Sequence, residues 1–214
     1  MSILLLGASG LAREVLAAGL GEMTDVAGVL DDDPARHGTI CGGVPVLGGL
    51  DEARRRQDQL LVCVGSGRRR REIVRRLTAS GVRSGRYATF VAPGALIGGS
   101  STVGVGAVLL PGAVVTADAS VGQHVVVMPG ATITHDDRLD DFTTLAAGVS
   151  LGGGVHIGEA AYLGMNAAVH PGITVGARAT VGMGAAVLHD VPADQTWVGV
   201  PARPLSSRTL EALA

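Results

Sequence analysis

The sequence predicts an α/β domain followed by a left-handed parallel β-helix, with a short helix at the C-terminus. Three observations support this division. The chain opens with an apolar strand and a glycine-rich turn, an aliphatic residue recurs every six positions from residue 91 onward, and only 2% of the 214 residues are aromatic although 47% are hydrophobic. Small aliphatic side chains at a fixed interval are typical of a solenoid. We predict boundaries of 1–88, 89–204 and 205–214.

The N-terminal domain begins with an uninterrupted apolar run, SILLLG, which indicates a strand buried on both faces. A glycine-rich turn and a helix follow, and a second strand ends in three consecutive aspartates. These elements predict a Rossmann-like βαβ domain with a parallel sheet. The predicted elements are strands at 2–7, 26–30 and 60–64, and helices at 11–20, near 50–56 and at 68–77.

The second part of the chain repeats with a period of six and no insertion. A small residue, most often alanine, stands four positions after most of the recurring aliphatics. Each hexapeptide is therefore expected to form one flat side of a triangular coil, with the aliphatic inside and the small residue at the corner. The sides carry few charges, so we expect them to be buried against other copies of the chain. The seventeen aliphatics are Val91, Ile97, Val103, Leu109, Val115, Val121, Val127, Ile133, Leu139, Leu145, Leu151, Ile157, Leu163, Val169, Val175, Val181 and Val187.

Composition argues against several classes of partner. The net charge of −2 is unlike that of a nucleic-acid-binding protein. No apolar run reaches the roughly 20 residues that a membrane span requires, so no membrane partner is expected. Cys41 and Cys63 form no CxxC pair, which predicts a reduced, cytoplasmic protein. The histidine spacings match no metal site, and no metal is expected.

The repeat occurs together with a GASG turn, a VLDDD strand end, a VGSG turn at 64–67 and a closing VGVPA at 198–202. In these features the chain resembles the PglD and NeuD type of sugar acetyltransferase, within the hexapeptide acyltransferase superfamily, over nearly its whole length. The resemblance implies a homotrimer, acetyl-CoA as co-substrate, and a UDP- or GDP-linked amino sugar or a sialic acid as acceptor in bacterial glycan synthesis. It also implies a catalytic histidine that precedes an acidic residue.

The segment ITHDD places His135 as the predicted base and Asp136 as its partner. Acetyl transfer from a thioester requires a base to remove a proton from the attacking group, and imidazole has a suitable pKa. A neighbouring carboxylate can fix the tautomer of the ring. Adjacent residues of an extended strand point in opposite directions, so contact between them requires a corner. Position 137, where other repeats carry Ala or Val, is Asp, which indicates an irregular corner.

The resemblance further implies where acetyl-CoA binds. The family has a second histidine nine residues after the first, and this chain has Thr144 there. We expect the Thr144 hydroxyl to donate a hydrogen bond to the donor substrate in its place. The CoA groove is expected to pass Gly153, Met165 and Met183, where backbone groups would hold the pantetheine arm.

The acceptor is expected at the N-terminal domain. A glycine-rich turn between a strand and a helix directs N–H groups toward a phosphate, and an acid after the second strand suits a ribose or base edge. Arg70 aligns with an arginine common in the family and could attract a phosphate. The candidate substrate-binding residues are therefore Gly7, Ser9, Gly10, Asp31, Asp32 and Arg70.

Three functions stay open at this point. N-acetylation of a nucleotide-linked amino sugar is the leading prediction. O-acetylation of a sugar or a sialic acid would use the same base, since an alcohol must lose its proton in the same way. The third is a non-catalytic scaffold in which His135 is simply exposed.

Overall fold

The computed structural model describes residues 2–205. Its N-terminal part is a five-stranded sheet with strand order β3-β4-β2-β1-β5, flanked by helices. Short 3₁₀ turns lie at Pro34–Arg36, Leu50–Arg55 and Ser84–Arg86. The elements are β1 (Ile3–Leu6), α1 (Gly10–Ala17), α2 (Leu20–Met23), β2 (Val26–Leu30), β3 (Ile40–Cys41), β4 (Val44–Gly48), β5 (Gln59–Val62) and α3 (Gly67–Ala79).

Strand β1 lies inside this sheet, between β2 and β5. It runs parallel to β2 and β5, and all four of its residues are buried, as its apolar run predicts. The antiparallel hairpin of β3 and β4 at the edge was not predicted. Gly42 and Gly43 join its strands with φ of +56° and +85°, a turn that favours two consecutive glycines, so a Gly-Gly signal was present in the sequence.

From residue 90 the chain forms a left-handed parallel β-helix of two-residue strands. Successive strands lie on three flat sheets, which we call the first, second and third faces, and β23 and β24 end the third face. The first face contains β7 (Leu96–Ile97), β10 (Val114–Val115), β13 (Thr132–Ile133), β16 (Ser150–Leu151), β19 (Ala168–Val169) and β22 (Ala186–Val187). The second face contains β8 (Thr102–Val103), β11 (Ser120–Val121), β14 (Arg138–Leu139), β17 (His156–Ile157) and β20 (Thr174–Val175). The third face contains β6 (Phe90–Val91), β9 (Val108–Leu109), β12 (Val126–Val127), β15 (Thr144–Leu145), β18 (Tyr162–Leu163), β21 (Thr180–Val181), β23 (Thr196–Val198) and β24 (Arg203–Pro204).

The recurring aliphatics fill the interior of the β-helix. Every one from Leu109 to Val187 is buried, whereas Ile97 in the first coil is 38% exposed because no coil covers it from above. At the other end Trp197 packs against the same core. The predicted period of six is therefore confirmed.

The N-terminal domain packs on the third face. Phe90, Val108 and Val126 belong to the same buried cluster as Leu5 and Leu11 of the α/β domain. The predicted C-terminal helix, at 205–214, lies outside the described part of the chain except for its first residue, Leu205. Within residues 2–205 no helix is both long enough and apolar enough to cross a membrane.

Candidate active site

His135 and Asp136 lie at the corner between the first and second faces, after β13. Asp136 has a φ of +62°, a left-handed conformation that breaks the alternation of side chains. His135 Nδ1 consequently lies 2.8 Å from Asp136 Oδ2, and the two side chains are 68% and 67% exposed. The corner that the sequence required for this contact is present.

The Asp136 carboxylate fixes the protonation of the ring. An ionised carboxylate only accepts hydrogen bonds, so Nδ1 of His135 carries the proton and Nε2 has the free lone pair. The hydrogen bond to Asp136 raises the pKa of His135 above its usual value, and the charges of Asp136 and Asp137 add to this effect. The arrangement suits a general base that accepts a proton at Nε2.

Gly153 lies one coil below His135 and contacts its ring. A Cβ atom at position 153 would come within 2.4 Å of His135 Nε2 and 2.3 Å of Cε1, so only glycine allows this approach. The N–H of the next residue, Gly154, donates to the His135 carbonyl at 2.9 Å. The structure thus brings one of the predicted CoA-binding residues to the predicted base.

Met165 and Met183 lie at a different corner. They follow β18 and β21 of the third face, and they are 48% and 72% exposed. Within a single chain they do not share a groove with His135 and Gly153.

The prediction for Thr144 is wrong. Thr144 points from the third face into the contact with the N-terminal domain and is 3% exposed. Its hydroxyl donates to the Gly65 carbonyl at 3.0 Å and accepts a hydrogen bond from Arg70 at 3.0 Å. Because its one proton is already used inside the protein, Thr144 cannot take the place of a histidine at the donor site.

The prediction for Arg70 is also wrong. The side chain is fully buried between the two domains, and burial lowers its pKa to about 9, which leaves the guanidinium charged at neutral pH. Its N–H groups are directed to backbone carbonyls, so none is available for a substrate phosphate. The Nε, Nη1 and Nη2 groups donate to the carbonyls of His124, Val64, Gly65, Phe142 and Thr143 at 2.8–2.9 Å.

The other predicted acceptor residues meet at the carboxyl edge of the α/β sheet. Strand β1 lies between β2 and β5, so the connections that leave this edge diverge there, as in other parallel sheets that bind nucleotides. A cavity of about 350 Å³ opens at this edge, and a second of about 290 Å³ lies beside it. The first is lined by Gly7, Asp31, Asp32, Leu50, Val64, Arg69, Glu72, Ile73 and Arg76. The second is lined by Ala8, Ser9, Gly10, Arg13, Arg36, Thr39, Ile40 and Cys41.

Several of these residues hold the glycine-rich turn in shape. Gly7 has a φ of +105°, and a Cβ there would come within 2.6 Å of Val64. Ser9 caps α1 and donates to the Cys63 carbonyl at 2.6 Å. Asp31 accepts from the N–H of Ala8 at 2.7 Å. Gly10 has open space around it.

Arg76 lines the first cavity although it was not among the candidate substrate-binding residues. Its guanidinium forms two hydrogen bonds to Asp32, at 2.7 and 3.0 Å, and this pairing lowers the pKa of the Asp32 carboxyl. Arg69, Ile73 and Arg76 line the first cavity together because residues three and four apart share one face of a helix. That spacing was visible in the sequence.

His124 has a structural role. It is buried, stacked against Phe142 at 5.2 Å and edge-on to Tyr87 at 4.7 Å. Burial, aided by the nearby charge of Arg70, lowers the pKa of His124 to about 4. Among residues 2–205 no group of three or more His, Cys, Asp or Glu side chains could hold a metal ion.

A family model described as the PglD N-terminal domain matches residues 2–77. A histidine-to-asparagine variant of perosamine N-acetyltransferase from Caulobacter crescentus, in complex with CoA and GDP-perosamine, is 31% identical to this chain, with a TM-score of 0.88 over 97% of this chain and 98% of that one. The acetyltransferase domain of PglB from Neisseria gonorrhoeae, in complex with acetyl coenzyme A, is 32% identical, with a TM-score of 0.85 over 95% and 98% of the two chains. WeeI from Acinetobacter baumannii, 24% identical with a TM-score of 0.68 over 96% of this chain and 100% of that one, shares the fold. No curated protein sequence matches the chain.

Two acetyltransferases more than 30% identical to this chain align with it across both domains. The predicted combination of a Rossmann-like domain and a left-handed β-helix is confirmed. The acyltransferase prediction is likewise confirmed. The chain therefore belongs to the PglD/NeuD-type sugar acetyltransferases.

Proposed function

We propose that this protein transfers the acetyl group of acetyl-CoA to the amino group of a nucleotide-linked amino sugar. The observation that carries this proposal is the exposed His135, whose Nδ1 is held by Asp136 so that Nε2 is free. The two similar acetyltransferases support it, since one is bound to CoA and GDP-perosamine and the other to acetyl coenzyme A. An N-acetyltransferase among them favours an amine over an alcohol as the acceptor.

His135 removes the proton that the attacking amine loses as its new bond to the acetyl carbon forms. Asp136 keeps the ring in the required tautomer and stabilises the imidazolium. Acetyl-CoA supplies the acetyl group as a thioester, whose C–S bond breaks, and the departing thiolate takes up the proton. Gly153 suits the predicted CoA groove because, without a side chain, it leaves His135 accessible next to exposed backbone.

The nucleotide of the acceptor is proposed to bind at the carboxyl edge of the α/β sheet. The N–H groups at the start of α1 favour a phosphate there. Gly10 leaves room for it, and the Asp31 and Asp32 region lies beside it. UDP- and GDP-linked sugars present the same diphosphate to this turn.

A homotrimer is part of the proposal. His135 and Gly153 occupy one corner of the β-helix and Met165 and Met183 another, so a groove lined by all four requires two copies of the chain. Exposed small residues on the first face, such as Ser150 and Ala168, allow close approach of another copy. Size-exclusion chromatography with light scattering is expected to give about three times the mass of one 21.5 kDa chain.

We place the enzyme in the cytoplasm, in bacterial glycan synthesis. Both cysteines, Cys41 and Cys63, are buried free thiols. Burial raises the pKa of the Cys63 thiol strongly, so this side chain is an inert part of the core.

Thermal-shift measurements with acetyl-CoA and a panel of UDP- and GDP-linked amino sugars test the function first. A ligand at 100 times its Kd stabilises a protein by about 2.7 kcal/mol, which such a scan detects. Mass spectrometry should then show one acetyl group added to the acceptor. One equivalent of CoA with a free thiol should form at the same time. An alkali-labile ester product would establish O-acetylation. Absence of both stabilisation and transfer across the panel would leave the scaffold function.

A further inference from the structure

The interior corner position of the β-helix contains one charged residue among its seventeen members. Ala, Val, Ile, Ser or Thr occupies the other sixteen, and Asp137 occupies the remaining one. Asp137 is 1% exposed. Its place is the last residue of the turn that carries His135.

The Asp137 carboxylate joins two successive turns. Its Oδ2 accepts from the N–H of Thr134 at 2.7 Å, within the turn of His135. Its Oδ1 accepts from the N–H of Val155 at 2.8 Å, in the turn one coil below. At many other corners the corresponding N–H donates to a carbonyl three residues earlier, as Ala113 does to Leu110 at 3.1 Å.

The two turns that Asp137 joins are the ones that meet at the imidazole ring of His135. The upper turn carries His135 and Asp136, and the lower turn carries Gly153, which contacts the His135 ring. Asp136 lies between Thr134 and Asp137 in the left-handed conformation, and the hydrogen bond from the Thr134 N–H to Asp137 closes the turn around it. The Asp137 carboxylate therefore holds the backbone that positions the His135 ring and also the turn of Gly153 on which the ring lies.

We propose that Asp137 is a positioning residue for His135: its carboxylate holds the turns of His135 and Gly153 together and adds a negative charge near the imidazole. This inference rests on the proposed function, since it concerns how the same base is held. Asp136 and Asp137 are the charged groups that act on the ring.

The energetics of Asp137 point to a role other than stability. Burial raises the pKa of its carboxyl despite the hydrogen bonds that it accepts. A carboxyl whose folded pKa is raised stabilises the fold below its unfolded pKa and loses that contribution as pH rises through the folded pKa. At neutral pH the ionised group thus costs stability, as is common for residues retained for activity.

The chain itself supplies a conservative replacement. Ser101 occupies the same corner two coils above Asp137, and its hydroxyl accepts from the N–H of Ala119 in the following coil at 2.9 Å. Asp137→Ser should fold because it copies this arrangement, and it keeps an acceptor for Val155 but loses the charge and the bond to Thr134. Asp137→Asn keeps the shape but turns an NH₂ group toward one of the two N–H donors.

The experiment compares Asp137→Asn and Asp137→Ser with Asp141→Asn. Asp141 is the matched control, because its carboxylate accepts from the N–H of Gln123 at 2.7 Å at a different corner. We expect kcat to fall about 10- to 100-fold in Asp137→Asn, and less in Asp137→Ser, with KM for both substrates within about twofold. Asp141→Asn should keep kcat within about twofold.

NMR titration of the His135 ring gives a second measurement that needs no activity. Its pKa should be lower in both Asp137 variants and unchanged in Asp141→Asn, while melting temperatures of Asp137→Ser and the wild type stay within about 4 °C. Unchanged kcat in Asp137→Ser, or an unchanged His135 pKa, would overturn the proposal. If the wild-type enzyme transferred no acetyl group at all, the proposed function would fail, and the NMR comparison would still decide the role of Asp137.

Discussion

The corner that carries His135 and the contact between the domains that carries His124 use the same chemical groups in opposite ways. His135 is exposed, paired with a carboxylate, and has a raised pKa. His124 is buried between aromatic rings near a guanidinium, and its pKa is lowered to about 4. Arg70 is charged and fully buried, yet it binds only the protein itself. Exposure and the nearest charge, rather than residue type, separate the proposed catalytic histidine from the structural one.

The largest effect that tests this comparison is expected from His135→Ala. Loss of a general base lowers kcat by about 10²- to 10⁴-fold, whereas the exposed corner should tolerate the change without loss of stability. Steady-state acetylation of the amino sugar measures it. His156→Ala is the matched control, since His156 also contacts a carboxylate, that of Asp140 at 3.0 Å, but on the second face. Equal activity of wild type and His135→Ala would remove the catalytic assignment.

Arg70→Met is expected to act on stability and not on catalysis. It leaves several buried carbonyls without a donor, which should lower the free energy of unfolding by about 3–5 kcal/mol. Urea unfolding measures this change, and Arg75→Met, an exposed change on the same helix, should stay within about 0.5 kcal/mol of the wild type. A stable Arg70→Met with a raised KM for the nucleotide sugar would instead restore the phosphate-binding role.

His124→Asn tests the lowered pKa at the domain contact. A histidine whose folded pKa is below its unfolded value stabilises the fold above the unfolded pKa, and that contribution is lost as pH falls through the folded pKa. Between pH 6.5 and pH 4 the free energy of unfolding should therefore fall by up to about 3 kcal/mol more in the wild type than in the variant. Asparagine tolerates the φ of +53° at this position. Urea unfolding at the two pH values measures this loss. If the midpoint shifted by the same amount in the wild type and the variant, the assignment would be contradicted.

Asp136→Asn should produce the smallest effect. Without its partner carboxylate, the pKa of His135 falls toward its ordinary value, so the acidic limb of the kcat/KM profile moves to lower pH. Activity at the plateau falls about tenfold because the ring is less well oriented. A pH–rate profile from pH 5 to 9 measures both quantities, and a limb that does not move would show that another group titrates.

Much of the fold could be predicted because it depends on local periodicity. The six-residue repeat predicted the interior of the β-helix from Leu109 onward, and the apolar run of β1 identified a buried interior strand of the sheet. The β3–β4 hairpin was missed because its first strand has only two residues. Asp137 predicted an irregular corner at His135, but the backbone there is regular, since Asp136 has the same left-handed φ as Asp118 and Asn166 at other corners. Only the hydrogen bonds of the Asp137 carboxylate differ from the usual pattern.

The errors concern residues whose environment depends on how the domains pack. A motif alignment places Thr144 at a donor site and Arg70 near a phosphate, but neither spacing reveals that α3 lies against the third face. Met165 and Met183 illustrate the same limit. The repeat of six assigns each residue to a corner of the β-helix, but it does not show which corners of two copies lie next to each other. The tertiary contact, and not the local pattern, decides each of these positions.

Helix α3 links the proposed acceptor pocket to the β-helix at a fixed spacing. Arg70 is anchored in the β-helix and Arg76 reaches Asp32 in the pocket, and six residues of helix span about 9 Å. The helix therefore fixes the distance between the cavity at Asp32 and the third face of the β-helix. A chimera designed to change nucleotide preference should consequently exchange the loops after β1 and β2 and keep α3 together with the β-helix on which it packs.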